Sequence, residues 1–228
     1  MENAKELILD TLKTKACLKQ NVFKKTKTVF LSFKSEAKNL LAELKAEMEK
    51  VDKDVVVEFI EKSEYEFHIK FGGDVLVFFM HTNVFDFEKS HAIWNTSYVK
   101  DDKLRAYCGM INVYNFLADS FKYNRLNDIG YLVGRIFLNK DAHYFVEGKK
   151  QLGFLYNDFI NEVIDDEKIR KIIESSILYS MDFDLITPHY DAMKIVSVHD
   201  VNEATSAMSI KTGKRLGFKF NVDNENIK

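Results

Sequence analysis

The chain has 228 residues, of which 46% are apolar and 30% are charged. These proportions exclude a disordered chain, and a chain of this length can bury one sizeable core. We therefore expect a single α+β domain over residues 1–228. The formal net charge of −2 excludes a uniformly basic protein, and two cysteines, Cys17 and Cys108, are too few for a disulfide framework.

The first residues carry Glu2 and Glu6 where a secretory signal carries positive charge, and the longest apolar run, Val75–Met80, is too short to cross a bilayer. The sequence therefore predicts a soluble protein without a transmembrane segment. Both cysteines are expected to be reduced, which favours the cytoplasm.

Residues 1–51 are predicted to form a helical segment. An irregular pattern of leucines predicts one helix near Ala4–Lys19, and a heptad-like seam predicts a second at Thr26–Val51. Polar and β-branched residues weaken the join, so continuity of the two helices stays open. The seam is expected to cover a sheet, with pairing to a second copy as the alternative. Its members are Phe30, Phe33, Ala37, Leu40, Leu44, Met48 and Val51.

A β-hairpin is predicted where the apolar period changes to two residues. Tyr65–Phe71 alternates, Gly72 and Gly73 are expected to supply positive φ angles, and Val75–His81 returns as the partner strand. This register pairs Phe71 with Asp74, Ile69 with Leu76, Phe67 with Phe78 and His68 with Val77.

Further strands are predicted at Val55–Ile60, Tyr107–Leu117, Ile129–Leu138 and His143–Gly148. Together they indicate an antiparallel sheet of about six strands in residues 54–148, covered by the long N-terminal helix and by C-terminal helices. Val75–Met80 is apolar on both faces, so it should lie inside the sheet with a cover on each side.

Residues 151–228 are predicted to form helices plus short strands. Helices are expected at Gln151–Ile164 and Glu167–Met181, and strands at Met193–Val198 and Leu216–Val222. Asp200 followed by Glu203 forms a candidate capping box for a short helix.

The sequence lacks the motifs of two large enzyme classes. It has no glycine-rich phosphate loop before a helix and no serine in a glycine-flanked nucleophile elbow. P-loop nucleotide hydrolysis and hydrolases of the elbow design are therefore set aside.

Two groups of histidines and carboxylates are candidate sites for a divalent metal, since imidazole and carboxylate both suit such ions. For the first, the alternative is a polar connection facing water; for the second, it is a short edge strand with a solvated face. The first group is His81, Asp86, Glu88 and His91. The second is Asp182, Asp184, His189 and Asp191.

Seven lysines and no acidic residue lie between Thr11 and Ser35. Such a stretch could follow a phosphate backbone or an anionic membrane surface, and lysines without arginines predict nucleic-acid binding that tolerates any sequence. The alternatives are a solvated helix face or pairing with the acidic stretch Asp158–Glu167. The lysines are Lys13, Lys15, Lys19, Lys24, Lys25, Lys27 and Lys34.

A ligand pocket on the sheet is a further candidate, with Asn112, Tyr114, Tyr131 and Arg135 as contacts. Arg135 interrupts an apolar strand. Its guanidinium therefore needs a carboxylate partner, a route to water or an anionic ligand.

These patterns favour a non-enzymatic binding or interaction protein that self-associates or binds a protein partner. The alternatives are a metal-dependent enzyme acting on a phosphate-containing substrate through one of the two clusters, and a nucleic-acid-binding protein. A divalent metal is the only cofactor that the residues suggest.

Overall fold

The computed structural model describes residues 3–148, 151–185, 187, 189–199 and 201–202. Its centre is a six-stranded antiparallel sheet in which each strand pairs with the next along the chain, so the predicted α+β class is confirmed. The strands are β1 Val57–Ser63, β2 Glu66–Phe71, β3 Asp74–Met80, β4 Cys108–Leu117, β5 Tyr131–Asn139 and β6 Tyr144–Gly148.

The two predicted N-terminal helices are continuous and form one long rod. The backbone is helical from α1, Ala4–Thr11, through a five-residue π-helical turn, Leu12–Ala16, into α2, Cys17–Met48. Val51 lies beyond the helix and is 80% exposed. The shorter helices are α3 Ser97–Asp101, α4 Ala118–Lys122, α5 Gln151–Leu155, α6 Asp166–Met181 and α7 Tyr190–Met193.

One face of the sheet is covered by α2 and α6. The Phe30 ring lies 5.4 Å from that of Phe67, which stacks at 4.7 Å on Phe78 of the next strand. The seam therefore covers the sheet through Leu40, as expected, but Leu44 is 39% exposed. The rod crosses β4 at Gly109, where a Cβ atom would lie 2.0 Å from Thr26 Oγ1.

The opposite face is covered at its two ends. The connection between β3 and β4 packs Ile93, Val99 and Ala106 near Phe137 and Phe145. At the other end Ala118 of α4 packs with the β3 valines Val75 and Val77. The apolar strand Val75–Met80 is thus covered on one side as predicted, but on the other side the cover reaches only Val75 and Val77, and the middle of this face, at Phe79, stays partly open.

The predicted register of β2 with β3 is confirmed at all four pairs. Two details differ. Of the hairpin glycines only Gly72 has a positive φ, +56°. The first strand ends at Ser63 rather than at the predicted Ile60, because a register shift between Glu61 and Ser63 lengthens β1, and the turn before β2 falls at Glu64 and Tyr65.

The predicted helix Gln151–Ile164 is wrong, because α5 ends at Leu155. Asp158 accepts a hydrogen bond from the backbone N–H of Asn161, and Val163 forms a β-bridge with His143. Side-chain bonding to the backbone and a tertiary contact therefore replace the helix.

The predicted strand at Met193–Val198 is also wrong. Met193 ends α7, residues 195–197 are irregular, and Val198 is helical. Asp200, Glu203 and Leu216–Val222 lie outside the described residues. No helix in the described ranges is long and apolar enough to cross a membrane.

Candidate functional site

A polar row crosses the open middle of the second sheet face. The strand register aligns Phe79 on β3 with Asn112 on β4, Arg135 on β5 and Glu147 on β6. Tyr114 lies two residues beyond Asn112, so its side chain leaves β4 on the same face. Three of the four predicted ligand contacts are therefore neighbours.

Tyr131 does not belong to this group. It pairs with Asn115, one position out of phase with Tyr114, and packs against the core beneath α2 and α6. The prediction placed Tyr131 with Tyr114 because the register shift between β4 and β5, at Val113 and Tyr114, is not visible in the sequence.

Arg135 has a carboxylate partner. Its Nε donates to Glu147 Oε2 over 2.9 Å, and Nη2 donates to the same oxygen. The guanidinium lies 5.5 Å from the centre of the Phe137 ring, and the side chain is 42% exposed. The Arg135 charge therefore has two of the three predicted forms of stabilisation, a carboxylate partner and a route to water.

His91 reaches the same carboxylate from the β3–β4 connection. Its Nε2 lies 3.5 Å from Glu147 Oε1, and its Nδ1 accepts the backbone N–H of Ile93 over 3.2 Å. An imidazole whose Nδ1 accepts carries its proton on Nε2, facing Glu147. Both ring nitrogens of His91 therefore face protein groups, Nδ1 a backbone N–H and Nε2 the Glu147 carboxylate.

The other members of the first predicted metal cluster bond locally. His81 Nδ1 accepts from the backbone N–H of Asn83 over 3.0 Å, and Asp86 Oδ1 accepts from that of Phe87 over 3.0 Å. The Glu88 carbonyl accepts the indole N–H of Trp94. Within the part of the chain that the structure describes, no three His, Cys, Asp or Glu side chains are placed to hold one metal ion.

The second predicted cluster is also spread out. His189 accepts the backbone N–H of Asp191 and thereby caps α7. Asp184 instead lines a cavity of about 800 Å³ beside the β2–β3 hairpin, with Asp74, Lys122 and Arg125 among its other charged residues. Its lining mixes acidic and basic groups rather than converging on one cation.

The lysine-rich segment divides into two groups. Lys34 is 5% exposed and donates to Glu61 and to the Ser63 carbonyl, and Lys27 pairs with Glu64. These lysines lower the pKa of Glu61 and of Glu64. The second group stays at the surface: Lys13, Lys15, Lys19, Lys24 and Lys25, which form no ion pair with any described residue.

The predicted pairing of these lysines with Asp158–Glu167 is wrong. In that stretch Asp158 bonds to Asn161, and Glu167 pairs with Lys171. Lys15 and Lys19 instead both lie over the ring of Tyr107, with Nζ at 5.7 and 5.8 Å from its centre.

The N-terminal end of the rod projects beyond the domain, which the sequence did not predict. Every residue from 3 to 17 is exposed, whereas Leu18 is 7% and Val22 0% exposed. We call residues 4–17 the overhang. The consecutive apolar residues Leu7, Ile8 and Leu9 could have indicated this exposed end, since three such residues span too wide an arc of the helix to share one buried face.

Comparison with protein families, characterised proteins and solved structures found no match to the chain. The function therefore has to be inferred from the chain's own residues.

Proposed function

We propose that the protein is a non-enzymatic interaction protein that self-associates through its overhang. The proposal rests on one observation: four large apolar side chains lie outside the domain on a helix whose residues 3–17 are all exposed. Ile8, Leu9 and Leu12 lie within about 100° of arc around this helix and so form one exposed apolar stripe, and exposed apolar residues grouped in this way mark interaction surfaces. The four side chains are those of Leu7, Ile8, Leu9 and Leu12, which are 57, 59, 43 and 53% exposed.

A second copy of the chain suits this surface because of its charge order. Lys5, Glu6 and Asp10 give the N-terminal half of the overhang a net charge of −1, and Lys13 and Lys15 give the other half a net charge of +2; none of the five forms an ion pair with a described residue. An antiparallel pair brings the acidic end of each overhang to the lysine end of its partner. A parallel pair would bring like charges together.

The interface is small, so association should be weak. Fourteen helical residues span about 21 Å, and two such helices bury less surface than a standard protein interface. After the entropy cost of association, we expect a dissociation constant of about 10–100 µM.

Sedimentation velocity over a range of protein concentrations tests the proposal. The double variant Leu9→Glu with Leu12→Glu should remain monomeric at concentrations where the wild type forms dimers. The matched control is Leu31→Glu with Leu44→Glu, because these leucines are 51 and 39% exposed on the part of α2 that lies on the domain. The control should dimerise like the wild type. A monomeric wild type at every concentration, or equal loss in both variants, contradicts the proposal.

A further inference from the structure

A groove runs between α2 and the start of the β3–β4 connection. Its volume is about 510 Å³. Phe23 from the helix and Tyr65 from the β1–β2 turn, with ring centres 6.3 Å apart, line it together with Thr82 and Asn83. Of the described residues that line it, only Lys19 is charged.

Two lysines beside this groove lie over the same aromatic ring, that of Tyr107. Lys15 and Lys19 are one helical turn apart, and both Nζ atoms lie within 6 Å of the Tyr107 ring centre. Neither pairs with a described carboxylate, and like charges at this spacing repel each other. A bound anion between the two ammonium groups would remove that repulsion.

The other lysine beside the groove's aromatic rings is balanced. Lys27 lies 5.8 Å from the ring centre of Tyr65 and forms an ion pair with Glu64. The unpaired positive charge beside the groove is therefore that of Lys19, which lines it, and of Lys15 one helical turn away. The site thus combines a place for a phosphate with half-buried rings for a planar group.

We propose that this groove binds single-stranded nucleic acid without sequence preference, with a phosphate held by Lys15 and Lys19 and a base against Tyr65. Lysine supplies charge without the bidentate geometry that reads base edges, and every base offers a face for stacking. A duplex hides its base faces, which disfavours it. A membrane surface is disfavoured because the rings line a groove rather than project from the surface.

Fluorescence anisotropy with a labelled oligothymidylate of about 20 nucleotides tests this proposal. Lys15→Gln with Lys19→Gln should weaken binding about tenfold at low salt. The control, Lys24→Gln with Lys25→Gln, removes the same charge from exposed positions of α2 outside the groove and should change affinity by less than about twofold. Tyr65→Ala should also weaken binding about fivefold.

The salt dependence gives a second readout. One phosphate contact contributes a slope of about 0.7 to the fall of log affinity with log salt concentration, and the Lys15 and Lys19 variant should lose that part of the slope. Circular dichroism checks that each variant is folded. Absent wild-type binding, equal loss in the two lysine variants, or equally tight binding of a DNA duplex or of vesicles rich in phosphatidylserine overturns the proposal.

Discussion

His68 is the most deeply buried histidine that the structure describes, at 3% exposure. Its ring centre lies 4.9 Å from that of Phe121 on α4, and its Nε2 lies 2.6 Å from Glu66 Oε1. Burial lowers the pKa of His68 below its ordinary value of 6.5, although Glu66 opposes the shift. The folded protein therefore binds a proton at this site less readily than the unfolded chain does.

This difference predicts how stability changes with pH. Because the unfolded chain takes up the proton first, the contribution of His68 is constant above pH 6.5 and falls as the pH drops below that value. Urea unfolding at several pH values should show a weaker loss of stability in His68→Gln than in the wild type. His189→Gln, at a histidine with an 82% exposed side chain, should keep the wild-type dependence. Identical profiles for wild type and His68→Gln would contradict the expectation.

The crossing of α2 over β4 depends on the absence of a side chain at Gly109. A Cβ atom there would lie 2.0 Å from Thr26 Oγ1, and the Thr26 hydroxyl donates to the Val22 carbonyl within the helix. Thr26 is fully buried, so neither the rod nor the strand can shift without disturbing the core.

Gly109→Ala should destabilise the protein by about 1–3 kcal/mol through overpacking. Gly73→Ala is the control, because no atom lies within 4 Å of the added Cβ; its effect should stay within about 0.5 kcal/mol. Combining Gly109→Ala with Thr26→Ala should recover only part of the loss, because Thr26 Cβ itself would lie 2.8 Å from the new atom. Urea denaturation measures all of these free energies, and equal effects of the two glycine variants would contradict the assigned clash.

At the level of elements, the sequence predicted the sheet well because the alternation of apolar residues and the turn residues themselves determine which strands form and how they pair. Alternation around the glycine pair specified every residue pair checked between β2 and β3. The Arg135–Glu147 pair was within reach of the same reasoning, since both lie on strands joined by a short turn. His91 was not, because an irregular connection brings it to Glu147. Nor was the end of α5, which tertiary contacts determine.

At the scale of the whole molecule, one part of the N-terminal rod is packed on the domain and the other part is exposed to solvent. From Leu18 to Leu41 its inner face is buried on the sheet, and Arg170 of α6 donates to Glu43 over 3.0 Å near its far end. Residues 4–17 have no buried position. The π-helical turn Leu12–Ala16 lies where the rod leaves the domain. The proposed self-association surface and the lysine-flanked groove therefore lie on one helix and overlap at Lys15 and Ala16.

The two cysteines allow the arrangement of two overhangs to be measured directly. Cys17 is exposed and lies at the base of the overhang, whereas Cys108 is buried, which raises the pKa of its thiol. A nitroxide reagent should therefore label Cys17 and leave Cys108 unmodified. In an antiparallel pair centred on Leu9, the two labelled positions lie about 25 Å apart, from eight residues of helix on each side and a helix separation of about 9 Å.

Pulsed electron–electron double resonance on Cys17-labelled protein at dimer-forming concentration is the most direct measurement. We predict a distance peak near 25 Å that disappears in the Leu9→Glu, Leu12→Glu variant. Broadening of the continuous-wave spectrum by labels about 10 Å apart would indicate a parallel pair, and either that result or the absence of any intermolecular distance would contradict antiparallel self-association through the overhang.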